Sequence, residues 1–188
     1  MGFKAAPAVA AGVATSPAKL KPGVTRWVLP GWYAYNGVSF AITAGRIYYI
    51  PILVTETTTY TRIGVGVDVA SAGTVDLRIY NWNDGVPGSL VLSAGTVDTG
   101  TVGAKEITIS QELTSGHYFL AFRGTGTPSL VGLDVTFALA PPVAGYATAL
   151  FADISRIILV VDASFADPAP APTGGRDADY AMVLLREN

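Results

Sequence analysis

Apolar and polar residues alternate strictly along two neighbouring segments, and this pattern limits the fold more than any other feature of the chain. The apolar positions are Ile63, Val65, Val67 and Val69 in the first segment and Val75, Leu77 and Ile79 in the second. A period of two places one set of side chains on one face of an extended strand, whereas an amphipathic helix needs a period near 3.6. Both segments are therefore predicted to be half-buried β-strands.

Several further segments have strand-forming composition and are bounded by turn residues. They are RIYYIPILV, SLVLSAG, KEITIS, GHYFLAFRG, the regions around 130–139 and 154–161, and DYAMVLL near the end. Pro51 confines the first of these to a sheet edge or a bulge, because proline has no amide proton for the ladder. GHYFLAFRG is apolar on both faces, which is typical of a central strand. DPAPAPTGG is predicted to be extended and polyproline-like.

Length and composition favour a single all-β domain. The chain has 188 residues, of which 21 are Gly and 12 are Pro, and it shows no convincing helix. Many short strands joined by turns are typical of an antiparallel β-sandwich, and we expect a jelly-roll-like one over residues 25–188. Residues 1–24 are predicted to be an extended arm, because three prolines interrupt them and no apolar period is present.

The hexapeptide SAGTVD occurs twice, at 71–76 and at 93–98. A solenoid would need at least about three repeats to bury its faces, and no third copy exists. We interpret the two copies as two turns of one sheet.

The net charge of −2 conceals a basic start to the chain. The first 55 residues carry five Lys or Arg residues and no acid. We expect the arm to bind a protein partner, with Lys4, Lys19 and Lys21 as assembly candidates. A merely solvated arm, or one that binds nucleic acid or lipid, is the alternative. Charged residues make up only 14% of an otherwise apolar chain, so we also expect other subunits to cover part of the surface.

The sequence offers no convincing candidate for catalysis, a cofactor or a metal. It has no cysteine and one histidine, His117, which we interpret as structural. The stretch NWNDG is interpreted as a turn and, as the alternative, as part of a calcium site, although the ligand spacing of an EF-hand is absent. Apolar runs are far shorter than the ~20 residues that span a bilayer, so no membrane insertion is expected.

Aromatic residues provide the best candidates for a binding surface. The candidates are Trp27, Trp32, Tyr33 and Tyr35, followed by Tyr48 and Tyr49, together with Trp82 in the segment NWNDG, where exposure is expected. Such residues bury a large area at low entropic cost, whether in a core, at a subunit interface or against a sugar ring. All three roles stay open for this cluster.

The stretch from Arg46 to Arg123 resembles a module of virion proteins in tailed bacteriophages, found in tail fibres and head decorations. The resemblance lies in an L-x-I-Y strand, a loop ending in GVPG, a leucine-rich strand, AGTVD, KEITI and a G-x-Y-x-L-A strand. Upstream, a Y-x-x-P strand leads through a Thr-rich turn into the alternating segment.

The resemblance implies a non-enzymatic structural module on the surface of a virion, assembled in the bacterial host cytoplasm. It implies a homo-oligomer, for which we expect a trimer. Together with the basic arm, it leads us to expect contact with capsid or tail subunits. The alternative is a carbohydrate-binding module that recognises a host surface glycan. An enzyme is not expected.

Overall fold

The computed structural model describes residues 27–28, 37–133, 158–176 and 180–187. These residues form β-strands joined by turns and loops, and no helix occurs among them. The predicted all-β class is therefore confirmed. The arm of residues 1–24 lies outside the described residues.

The strands vary from two to thirteen residues in length. In chain order they are β1 (Trp27–Val28), β2 (Gly37–Ala41), β3 (Arg46–Val54), β4 (Thr58–Val69), β5 (Thr74–Asn83), β6 (Val86–Asp98), β7 (Gly103–Leu113), β8 (Gly116–Gly124), β9 (Ser129–Leu133), β10 (Ile158–Asp162), β11 (Gly174–Arg176), β12 (Tyr180–Ala181) and β13 (Val183–Glu187).

Eight consecutive strands, β2 to β9, form a jelly roll. They pair as nested antiparallel partners: β2 with β9, β3 with β8, β4 with β7, and β5 with β6. Lateral pairing of β4 with β9 and of β5 with β8 then gives two sheets, with the orders β2-β9-β4-β7 and β3-β8-β5-β6. This order is a long hairpin rolled upon itself, which confirms the predicted antiparallel jelly-roll sandwich.

The remaining strands extend both sheets. β10 and β11 add to the β3 side of the second sheet, called here the β8 sheet. β12 pairs with β9, β13 pairs with β4, and the two-residue strand β1 pairs with β13, all in the first sheet, called here the β4 sheet. The last residues of the described chain are thus built into the same sheet as β9 and β4.

The core lies between the two sheets and follows the alternation of the sequence. Ile63, Val65 and Val67 point inward from β4, while the alternating residues of β5 are fully buried opposite them. The alternation ends before the strand does, because Val69 is 54% exposed. β3 lies between β10 and β8, so the predicted edge position is not found for the strand as a whole. Pro51 pairs with Phe119 of β8, and on its other side the residues that precede β10 lie outside the described part of the chain.

A second apolar cluster covers the outer face of the β8 sheet. Its sheet residues are Ile47, Tyr49, Tyr80, Phe119, Ala121 and Val161. The proline-containing segment 163–173, called here the outer-face segment, has no strand and packs on them through Phe165 and Ala169. The hydroxyls of Tyr49 and Tyr80 donate to the carbonyls of Pro170 and Ala166, at 3.2 and 2.9 Å. The sequence predicts the extended form of this segment; its docking on a sheet was not expected.

The two SAGTVD copies pair with each other. Thr74, Val75 and Asp76 lie opposite Asp98, Val97 and Thr96 in the β5–β6 ladder. The first copy is a turn followed by a strand, as predicted, but the second lies inside β6, where the register shifts next to Gly95 at φ 110°. The prediction of two turns is wrong for the second copy, because a glycine with positive φ serves a β-bulge as well as a turn.

Candidate functional site

An apolar groove lies on the outer face of the β4 sheet. Its volume is about 240 Å³, and it is bordered by β1, β4, β7, β9 and β13. The lining residues are Trp27, Gly64, Val65, Gly66, Ala104, Lys105, Glu106, Val131, Met182 and Leu184. Nearly all of the lining is apolar, so the groove suits an apolar occupant better than a polar one.

Two glycines form the floor of the groove. Gly64 and Gly66 stand at the outward positions of β4, between the buried residues of the alternating segment. A Cβ atom at Gly64 would lie 2.6 Å from the carbonyl oxygen of Lys105, and one at Gly66 would lie 2.8 Å from Cγ2 of Val131. The absence of side chains here lets β7, the Trp27 ring and Val131 lie close to β4.

Trp27 forms one wall of the groove. Its ring lies close above the floor, since a Cβ at Gly64 would be 3.2 Å from its Cη2 atom, and the side chain is still 36% exposed. The guanidinium of Arg186, opposite Trp27 in the β1–β13 pair, lies 5.9 Å from the ring centre. This distance is within the range of a cation–π contact, which helps to hold the ring in place.

Charged side chains stand at the rim and have polar partners there. Nε of Arg62 lies 3.3 Å from Oε2 of Glu106, and its Nη1 donates to the hydroxyl of Thr108 at 2.7 Å. Nζ of Lys105 donates to the hydroxyl of Thr101 at 2.6 Å. The rim thus gives the groove a polar border, while its interior stays apolar.

Trp82 was expected in an exposed loop, but the structure places it in β5. Its ring stacks on Phe119 at 5.0 Å between centres and lies 5.2 Å from the ring of His117. The turn after β5 contains only Asp84 and Gly85, and the antiparallel strand β6 begins at Val86. Trp82 is half-buried, and one face of its ring packs on the apolar cluster that covers the outer face of the β8 sheet. Less of the ring is therefore exposed to a ligand than the sequence predicted.

The other sequence candidates separate into three groups. Tyr48 and Tyr49 are fully buried, so core packing is the role shown for them, with Tyr48 stacked on Phe122 at 4.7 Å. His117 is part of the aromatic stack, as its structural interpretation requires. The remaining candidates lie outside the described residues: Lys4, Lys19, Lys21, Trp32, Tyr33 and Tyr35.

Buried tyrosines account for the main shifts in acidity. Burial, with smaller contributions from Glu187, Glu56 and Tyr118, raises the pKa of Tyr60 to about 12. Burial likewise raises the pKa of Tyr49 and of Tyr80, beneath the outer-face segment. These residues are structural groups of the two apolar clusters, and the described residues contain no group of three His, Cys, Asp or Glu side chains that could hold a metal ion.

Sequence reasoning identified Trp27 but missed the groove beside it. The signal was present: glycine occupies two successive outward positions of a strand whose inward positions are all large and apolar. Glycine inside a strand often marks a close approach of another group.

Comparison with known proteins finds no matching family model, curated protein or solved structure. Within the described residues there is also no helix long and apolar enough to cross a membrane. The assignment of a function therefore depends on the groove, the fold and the sequence.

Proposed function

We propose that this protein is a non-enzymatic structural protein on the surface of a tailed-phage or phage-like virion, as a decoration or a short fibre or spike subunit. Its partners are capsid or tail subunits and further copies of itself. The arm of residues 1–24 anchors it, and the sandwich projects outward. It is assembled in the cytoplasm of the bacterial host.

The observation that carries this proposal is that the stretch resembling the phage module coincides with one unit of the fold. The stretch from Arg46 to Arg123 corresponds to β3 through β8, the nested centre of the jelly roll. Jelly rolls occur in viral capsid proteins and lectins, among others, so the fold agrees with the proposal but does not select it alone.

The apolar groove gives a second line of support. A surface groove with a tryptophan wall and a glycine floor is typical of a site where another chain packs, because aromatic anchors in apolar pockets contribute much of the energy of an interface. A subunit of a particle needs such surfaces, and the low charge content of the sequence agrees with this.

The test is a deletion of residues 1–23, with particle incorporation as the measurement. The truncated protein is expected to fold and stay soluble, and to be absent from particles purified from cells that express it together with the other virion proteins. A variant with Lys4, Lys19 and Lys21 all changed to Gln shows, in the same assay, how much the positive charge of the arm contributes to incorporation. Normal incorporation of the truncated protein would contradict the proposal.

The second candidate function is recognition of a host surface glycan. The 36% exposure of Trp27 at the groove favours it, since an exposed indole can stack on a sugar ring. The apolar interior weighs against it, because buried sugar hydroxyls need hydrogen-bond partners. Glycan-array binding by the full chain that is lost in Trp27→Ala and retained in Trp82→Ala would establish this function at the groove. The reverse pattern would move it to the β8 sheet, and an array without binding would eliminate it.

A further inference from the structure

The groove on the β4 sheet and the N-terminal arm meet at one residue. Trp27 is both the wall of the groove and the first described residue of the chain, and 26 residues precede it. Residues 24–26 join the rest of the arm to Trp27, and three extended residues span at most roughly 10 Å. A segment that ends at residue 23 can therefore reach the same groove of another copy where the two copies adjoin near Trp27.

The direction of β1 favours the groove of another copy over that of the same chain. β1 is antiparallel to β13, with Trp27 opposite Arg186 and Val28 opposite Leu185. The chain therefore enters β1 from the Glu187 end of β13 and advances toward Leu184, which lines the groove. To reach its own groove, the arm would have to reverse direction immediately before Trp27.

The chemistry of the arm matches the groove. The part nearest the domain, SPAKLKPG at 16–23, carries Pro17, Leu20 and Pro22 together with Lys19 and Lys21, and it has no acid. Proline-containing segments favour the extended polyproline conformation and dock in grooves lined by aromatic side chains. Trp27 supplies such a side chain, and it lies beside the glycine floor in an almost wholly apolar groove.

We infer that residues 16–23 of one copy bind in the Trp27 groove of the next copy. This inference deepens the proposed function, on which it rests for the anchoring role of the arm, by assigning the two halves of the arm to different partners. Residues 1–15, with Lys4, stay available for the particle. The contact is head-to-tail, because arm and groove are different surfaces, so it closes into a ring if the rotation permits. A ring of three would be the trimer expected from the sequence.

The decisive experiment is a complementation test by sedimentation velocity. Ala104→Arg fills the groove from an exposed rim position of β7 and keeps the arm, while deletion of residues 1–23 removes the arm and keeps the groove. The full chain is expected to sediment as a closed oligomer and each variant alone as a monomer. A mixture of the two is expected to form a one-to-one complex and nothing larger, because the truncated chain has no arm to pass on.

Matched controls separate this contact from general destabilisation. Ser110→Arg introduces the same side chain at an exposed position of the same strand outside the groove lining, and it is expected to leave the oligomer unchanged. Thermal unfolding of each variant establishes that it is folded. In an otherwise intact chain, Pro17→Gly combined with Pro22→Gly is expected to raise the dissociation constant of the oligomer by about tenfold or more. An effect of this size is typical of the loss of one anchor residue from an interface.

Three results would overturn the inference: a full chain that is monomeric, an oligomer that survives Ala104→Arg, or a mixture that forms no complex. The first would also be the result if the arm occupied the groove of its own chain. Failure of the proposed function has a different signature. A chain that assembles as described but never joins particles would refute the virion role alone, whereas a chain that joins particles and keeps its oligomer after Ala104→Arg would refute only the inference.

Discussion

At the scale of single residues, the molecule depends on positions where a side chain is absent. Gly64 is the clearest case, since any Cβ there would be 2.6 Å from a backbone oxygen of β7. Backbone cannot move aside as the end of a flexible side chain can. The candidate site and the stability of the sheet thus share one residue, because the missing side chain at Gly64 permits the close approach of both Trp27 and β7.

We expect Gly64→Ala to lower the free energy of unfolding by about 1 to 3 kcal/mol, because the added methyl group overpacks the β4–β7 ladder. Gly174→Ala is the matched control, since its Cβ would meet Val160 at an ordinary contact distance of 3.7 Å. Urea unfolding of both variants checks the prediction. Equal stability of the two would show that β7 can yield at Gly64.

The raised pKa of Tyr60 allows a prediction of how the stability of the protein changes with pH in the alkaline range. Its pKa in the folded protein is raised to about 12, mainly by burial, from an ordinary value of about 10. The unfolded chain therefore releases this proton first, and the contribution of Tyr60 to stability is complete below about pH 10 and is lost as the pH rises toward 12. In Tyr60→Phe, the fall in melting temperature over this range should be shallower than in the unchanged protein. A parallel fall would assign the effect to Tyr49 and Tyr80 instead.

At the scale of elements, the β5–β6 hairpin shows how two residues fix a register. Asp84 and Gly85 form a two-residue turn with φ of 48° and 89°, between the paired residues Asn83 and Val86. Positive φ at both positions is typical of a type I′ turn, whose twist matches that of the strands. The turn predicted from the sequence at NWNDG is thus the turn between β5 and β6.

Gly85→Ala is expected to destabilise the protein by about 1 kcal/mol, because alanine pays the steric cost of positive φ. Asp84→Asn should be nearly neutral, since Asn tolerates the same conformation. Chemical unfolding of the pair gives the comparison, and a larger loss in Asp84→Asn would indicate a role for this carboxylate beyond the turn.

The outer-face segment is a second element whose contacts can be tested. Phe165 lies 6.1 Å from the ring of Tyr80 and 4.4 Å from the guanidinium carbon of Arg78. Further along, the amide of Ala169 donates to Gly88, and that of Leu90 donates to the Asp167 carboxylate, each at 2.9 Å. The segment is therefore attached at several points to the hairpin of β5 and β6.

Phe165→Ala should remove the aromatic contact and loosen the segment by about 1 to 2 kcal/mol. Hydrogen exchange resolved by residue should show faster exchange at the amides of Ala169 and Leu90, with the amides of β4 unchanged. Uniformly faster exchange would mean instead that the segment stabilises the whole sandwich.

At the scale of the whole molecule, the two ends of the chain contribute differently. The described core begins at Phe40, whereas Ala181, Val183 and Leu185 near the other end are all buried in it. Deletion of residues 1–23 should shift the melting temperature little. Deletion of 180–188 should abolish cooperative unfolding, because three buried side chains and two strands represent several kcal/mol of a total near 5 to 15. Calorimetry of the two truncations decides this, and a folded C-terminal truncation would refute the assigned role of β12 and β13.

The sequence alone determined the class of fold and much of its core. A period of two in β4 and β5 sets which residues face inward, and glycine and proline mark where strands end, because both effects are local. Trp27 was named from sequence as one of several aromatic candidates, and its use as a binding residue stays a prediction.

Only the tertiary structure decided which strands lie side by side and therefore which surfaces exist. The groove joins residues from positions as far apart as Trp27 and Leu184, and the outer cluster of the β8 sheet joins Tyr49 to the segment around Phe165. Neither can be found from local pattern, because a sheet is completed by pairing between distant segments. The alternation of apolar and polar residues indicates on which face of a strand a side chain lies. The topology of the jelly roll determines which other residues that side chain contacts.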